Sequence, residues 1–229
     1  MASNALVLEK ATLEDVPALT ELWYAGFTDP GVRYLWPDTP GVRKWWDEAN
    51  REDLANKTYQ HYIKVIDPSL KDHQGRPRIA AFAKWDTATQ EERGPRYPAW
   101  NPDMPLQAIE DFIQSLENSR QQVMAGKTKH YYLDTLVTHP EYQRRGAGSM
   151  LMKWGCDLAD ENGAELYVDA SKDGSFLYRK FGFIEQTLEG EPASGIIPMA
   201  RALTEKSRSG GRMGLALMGG GSEKTYTGK

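Results

Sequence analysis

Residues 143–148 (QRRGAG) set Gln143, two arginines and two glycines between an apolar strand pattern at 132–138 and a helical pattern that starts near Gly146. A turn in that place presents unpaired backbone N–H groups and the positive end of a helix, a combination that favours a phosphate. Arg144 and Arg145 add charge, and Gly146 and Gly148 remove side chains that would block close approach. The hexapeptide therefore reads as an anion cradle. A P-loop would need Lys followed by Ser or Thr directly after the second glycine, whereas Gly148 is followed by Ser149 and Met150. A dinucleotide fingerprint would need a third glycine where Leu151 stands, although Asp169 lies at a suitable distance downstream to face a ribose. Too little chain remains after Gly148 for two wound halves. A Gly-rich turn without a ligand is the plain alternative.

Other reactive side chains offer less. Cys156 falls within the following helical pattern beside Met152 and Ala159, a setting for a small buried residue and not for an activated nucleophile. His61, His73, His130 and His139 show no metal-ligand spacing, so no metal is expected, and His139-Pro140 shapes the entry to the cradle. A net charge of -4 argues against a nucleic-acid partner, which demands a basic face. No apolar run is long enough to span a bilayer, the first ten residues lack the pattern of a signal peptide, and one cysteine cannot form an internal disulfide. These features predict a soluble, cytoplasmic protein with no membrane partner. At 229 residues, with seven Trp and eleven Tyr, the chain suits one domain with an ample core.

The elements that must position the cradle follow from periodicity. Residues 6–11 alternate as a strand, and Thr12 with Asp15 can cap a helix carrying Val16, Leu19, Leu22, Trp23 and Phe27 on one face. Pro30, Gly31, Pro37, Pro40 and Gly41 break the chain before an amphipathic helix at 42–57. Strands at 62–66 and 79–85 read as a hairpin. Regular structure is lost from Asp86 to Asp103, and a helix follows at 106–124. Around the cradle the order is strand 131–138, helix 147–162 ended by Gly163, and strand 165–170. A short helix to Lys180 and strands at 183–188 and 196–202 complete the pattern, and the Gly, Ser, Lys and Arg composition of 205–229 reads as a disordered tail.

The segment LDTLVTHPEYQRRGAGSMLMKWG, followed by ADENGAELYVDAS and LYRKFGF, resembles the GNAT superfamily of acetyl-CoA-dependent N-acetyltransferases, and its fungal members most. That superfamily's pyrophosphate motif, Q/R-x-x-G-x-G/A, is matched by Gln143, Gly146 and Gly148, and its Tyr shortly before Gly-Phe by Tyr178, Gly182 and Phe183. The resemblance implies an α/β (α+β) fold. It would be a single domain over 1–204, with an insertion at about 86–126 and a mixed, mostly antiparallel sheet flanked by helices on both faces. It implies acetyl-CoA as acyl-donor cosubstrate, cradled by Gln143, Arg144, Arg145, Gly146, Ala147, Gly148 and Ser149, with Gly174 and Tyr178 beside it. The pantetheine arm would pair like a strand with Leu136, Val137 and Thr138, the N–H of Val137 holding the thioester oxygen.

Two catalytic roles follow from the same resemblance. Tyr178 is the candidate acid for the leaving thiolate, with core packing as its alternative. Asp134 is the candidate base for the acceptor amine, with a buried structural bond as its alternative and Tyr132 in reserve. A neighbouring Arg would weaken Asp134 as a base. The acceptor side would hold Trp23, Tyr24, Phe27, Tyr34 and Trp36, which read as core before they read as a stacking surface, and the insertion with Tyr97, Trp100 and Phe112 would form a lid. The expected function is N-acetylation of a primary amine, a small molecule before a protein, by direct transfer in a ternary complex. The alternatives are a noncatalytic acyl-CoA sensor and a nucleotide-binding oxidoreductase, and a homodimer is allowed.

Overall fold

The computed structural model describes residues 5–204, apart from 90, 128, 191 and 194. The expected disordered tail, 205–229, lies outside the described residues. The chain runs β1 (Val7–Lys10), α1 (Val16–Gly26), α2 (Pro30–Leu35), α3 (Pro40–Asn56), β2 (Gln60–Lys71), β3 (Pro77–Asp86), α4 (Leu106–Val123), β4 (His130–Thr138), α5 (Ala147–Asn162), β5 (Glu165–Ser171), α6 (Lys172–Lys180), β6 (Ile184–Glu185) and β7 (Ile196–Arg201). Seven strands form one sheet in the order β1-β2-β3-β4-β5-β7-β6. Every neighbouring pair is antiparallel except β4 and β5, which are parallel and joined through α5.

Strand alternation divides the core between the two faces of the sheet. Ile63, Val65, Ala83 and Trp85 point to the face covered by α5 and α6, where they meet Leu151, Met152, Cys156 and Tyr178. Tyr62, Phe82 and Val137 point to the face covered by α1 and α3, with Ile109 of α4 in the same cluster. Further along that face Tyr132 and Tyr167 pack beneath Met124, which follows α4. The mixed sheet with helices on both faces is as expected.

Two of three differences from the sequence reading have local causes. The proline-rich break contains α2, because Pro30 sits at its first turn, where a missing N–H costs nothing, and the Asp29 carboxylate accepts from the N–H groups of Gly31 and Val32 at 2.8 and 3.2 Å. Pro40 opens α3 in the same way, with Thr39 as the cap. The strand expected at 183–188 shortens to Ile184–Glu185.

Candidate active site

β4 pairs with β5 only through His130↔Glu165, Tyr131↔Leu166, Tyr132↔Tyr167 and Leu133↔Val168. Beyond Leu133 the two strands part, and β4 continues along β3 alone to Thr138. Asp134 stands at the parting point as the extra residue of a β-bulge, since Lys84 pairs with Thr135 and Trp85 with Leu133. Leu136, Val137 and Thr138 then pair in register with Ala83, Phe82 and Ala81, so the bulge precedes them and these three residues keep one edge bonded. Among the described residues no strand pairs with their other edge, which faces the gap beside β5.

The cradle closes the far end of this wedge. Arg144 adopts a left-handed φ of 61° and Gly146 one of 90°, which turns the chain into α5 without a side-chain cap. The first intrahelical bond runs from the Met150 N–H to the Gly146 carbonyl at 3.1 Å, leaving the N–H groups of Ala147, Gly148 and Ser149 without a backbone acceptor among the described residues. Gln143, Arg144 and Ser149 are exposed. The Arg145 guanidinium instead lies 4.5 Å from the centre of the Tyr142 ring and 3.7 Å from the Asp67 carboxylate. A Cβ at Gly148 would stand 3.1 Å from Leu177 and 3.8 Å from Leu136, so this glycine lets α5, α6 and β4 converge.

Tyr178, on α6, has its side chain in the core beside Phe183, with ring centroids 6.0 Å apart. No hydrogen bond holds its hydroxyl among the described residues, and burial pushes its pKa up. Gly174 lies against this ring, where a Cβ would be 3.2 Å from a ring carbon and 3.6 Å from the hydroxyl, while its N–H is capped by Ser171 Oγ at 3.1 Å. Cys156 is buried, which pushes its thiol up to about 11 and removes it as a nucleophile at neutral pH.

On the opposite face, Asp134 is enclosed by charge. Its carboxylate accepts from Nε of Arg96 at 3.1 Å, from a second Arg96 nitrogen, and from the Tyr97 hydroxyl at 3.4 Å, and it lies 3.0 Å from Lys84 Nζ. Lys84 also reaches Asp53 of α3 at 2.5 Å. Burial alone would raise the Asp134 carboxyl, but the Arg96 and Lys84 cations outweigh it and hold the group far below the usual range. This setting counters the expectation of a base at Asp134, because a carboxylate so held is a weak proton acceptor. Across the wedge, Asp169 of β5 accepts from the Tyr132 hydroxyl at 3.0 Å and the Tyr167 hydroxyl at 2.7 Å.

Lys84 and Arg96 were missed from sequence. Lys84 carried a signal, a lone charge in the apolar run AFAKW, which demands a buried partner; Arg96, in a proline-rich loop, carried none. Trp23, Tyr24 and Trp36 are core residues packed with Trp46 and its neighbours, whereas Tyr34 is exposed. The stretch expected as an insertion holds α4, whose Ile109 and Leu116 are buried, and before it a loop at 87–105. That loop turns inward, with Trp100 5.4 Å from Trp45 and Tyr97 5.8 Å from Trp46. Among the described residues no helix is long and apolar enough to cross a membrane.

Comparison with known proteins identifies the family and the fold. Residues 79–183 match the model of the Acetyltransferase (GNAT) family. A protein named as an acetyltransferase from Stachybotrys chartarum is 30% identical over 192 residues, covering 77% of this chain and 79% of the relative. Among solved structures, a mosquito arylalkylamine N-acetyltransferase-like protein aligns with a TM-score of 0.61 at 14% identity, covering 87% of this chain and 100% of that one. The PaiA N-acetyltransferase of Thermoplasma acidophilum, solved with coenzyme A, aligns with a TM-score of 0.53 at 14% identity, covering 86% and 99%. At these identities the structures speak for the fold alone.

Proposed function

The chain belongs to the GNAT acetyltransferase family, and from that premise we propose that it transfers the acetyl group of acetyl-CoA to a primary amine of a small molecule, directly within a ternary complex. The observation that carries this reading is the open edge of β4 beyond Leu133, ending at the unpaired amides of α5. An extended amide-bearing arm fits the first, and a pyrophosphate fits the second.

Acetyl-CoA supplies an activated acyl carbon and a thiol leaving group. The chain's part is to hold and to move protons. Ala147, Gly148 and Ser149 offer N–H groups to the pyrophosphate, with Arg144 beside them as a cation that no acid engages among the described residues, and Gln143 at the rim. Leu136, Val137 and Thr138 offer backbone groups to the arm, the Val137 N–H being the candidate donor to the thioester oxygen. Tyr178 is the proton donor to the thiolate. Its unheld hydroxyl and the glycine at 174 that leaves space beside it support this role. A phenol ordinarily near 10, and pushed up further here by burial, is too weak an acid for full prior transfer, so donation accompanies departure of the thiol.

Calorimetric titration with acetyl-CoA, NAD and NADP, followed by thiol release with a panel of primary amines, tests the reading. Acetyl-CoA should bind selectively, and at least one amine should release thiol. Selective binding without release across the panel would point to an acyl-CoA sensor instead. Tyr178→Phe should lower turnover and leave acetyl-CoA affinity unchanged; equal turnover across pH would remove its role.

A further inference from the structure

Within the acetyltransfer reading above, on which this step rests, we infer that Asp169 is the proton acceptor for the acceptor amine, with Tyr132 positioning it from the opposite lip of the wedge. Asp169 is the first residue of β5 beyond Val168, the last residue paired with β4. It therefore stands where the strands part, across from Asp134. Both carboxylates belong to the face that carries Tyr132 and Tyr167, away from α5 and the cradle.

The two carboxylates differ in how their lone pairs are committed. One oxygen of Asp134 takes Arg96 twice and Tyr97, the other takes Lys84, and the side chain is 3% exposed. Asp169 receives one phenol on each oxygen, which leaves acceptor capacity on both, while as whole residues the two aspartates are equally half-buried. The groups that face it are Tyr132 from β4, Tyr167 from β5, Arg96 from the loop before α4, and Arg120 from α4. Arg120 is itself paired with Glu117, and Arg96 with Asp134. Burial raises the Asp169 carboxyl, and the two phenols and two guanidiniums offset this only in part. Two acids on one site are thus pushed in opposite directions, the arrangement that separates a proton acceptor from a permanent anion.

The Arg96 guanidinium lies 4.9 Å from the centre of the Tyr132 ring, and its Nη1 is buried with no hydrogen-bond partner among the described residues. Arg96 thereby locks Asp134 and steadies the ring whose hydroxyl orients Asp169. In the step itself, the amine nitrogen bonds to the acetyl carbon and gives a proton to Asp169. The bond from that carbon to sulfur breaks, and the thiolate takes a proton from Tyr178. Asp169 then loses its proton to water, and water restores that of Tyr178.

The test follows initial rates of thiol release against pH, with acetyl-CoA and the fastest amine of the panel, in wild type, Asp169→Asn, Asp134→Asn and Tyr132→Phe. Carbon-13 NMR titration of the aspartate carboxyls runs alongside. Asp169→Asn should lose about 100-fold or more in turnover at neutral pH and its acidic limb, with acetyl-CoA affinity unchanged. Tyr132→Phe removes a bond to the ionised form, so it should move both the acidic limb and the Asp169 titration to higher pH, whereas a purely structural Asp169 would shift in its titration and leave the limb in place. If Asp169→Asn fails to fold, the Tyr132→Phe displacement and Asp169→Glu, expected to retain the limb, carry the test. Turnover in Asp169→Asn within threefold of wild type, loss of the limb in Asp134→Asn, or an Asp169 carboxyl that titrates at or below 3.8 would overturn the assignment. Failure of wild type to acetylate any amine would instead refute the transferase reading itself.

Discussion

Arg144 and Arg145 are neighbours with the same charge and opposite commitments. The Arg145 side chain is folded over Tyr142 toward Asp67, while among the described residues no acceptor engages Arg144, whose positive φ turns it out at the mouth of the cradle. A phosphate oxygen bound by a free guanidinium gains a charge-assisted bond worth about 1.5 kcal/mol or more, so Arg144→Ala should weaken coenzyme A roughly tenfold. Arg145→Ala should weaken it less, because that guanidinium would first have to leave its ring and carboxylate. Calorimetric titration of both variants at low salt decides the ranking, and the reverse order would contradict the cradle as drawn.

At the scale of elements, α5 comes closest to Trp85 of β3 at a position where a side chain is missing. A Cβ at Gly155 would lie 2.2 Å from two atoms of the Trp85 indole, which is fully buried between β3 and α5. Gly155→Ala would gain helix propensity yet force α5 off β3, so a net loss of about 1 to 3 kcal/mol is expected in chemical denaturation. A stabilised variant would show that Trp85 can move aside. This close approach was not legible in the sequence, because a glycine within a helical pattern gives no hint of what lies opposite. The boundaries of α5 were legible, since Gly146 and Gly163 both take left-handed conformations at its ends. The turn into α5 was legible for a related reason: a helix end with free amides depends on local backbone. The charged face opposite α5 was not. Asp134, Asp169, Lys84 and Arg96 come from three strands and a loop, and pairing across that distance leaves no mark on spacing.

For the whole molecule, the buried chain of charges Asp53, Lys84, Asp134 and Arg96 joins α3, β3, β4 and the loop before α4. Lys84 is held strongly protonated, since burial opposes its charge but the Asp134 and Asp53 carboxylates beside it outweigh that. Lys84→Met would leave two buried carboxylates short of a cation and should cost about 3 to 5 kcal/mol in chemical denaturation. The pH dependence has a definite sign. The folded Asp134 carboxyl lies below its ordinary 3.8, so its contribution to stability is complete above that value and is lost as pH falls through the depressed one. Removing Lys84 brings that depressed value up, so acid unfolding of the variant should begin at higher pH than in wild type. An unchanged acid midpoint would show that Arg96 alone holds Asp134.

The parallel seam between β4 and β5 has a mechanical meaning as well. Four residue pairs are the whole of its ladder, and on either side of it lies a purely antiparallel half-sheet. A donor arm lying in the gap would lengthen that ladder and bind the halves together as a removable staple. At a hundredfold excess over its dissociation constant such a ligand adds about 2.7 kcal/mol to the folded state. The durability of the protein against heat and proteases would then follow the supply of its own donor.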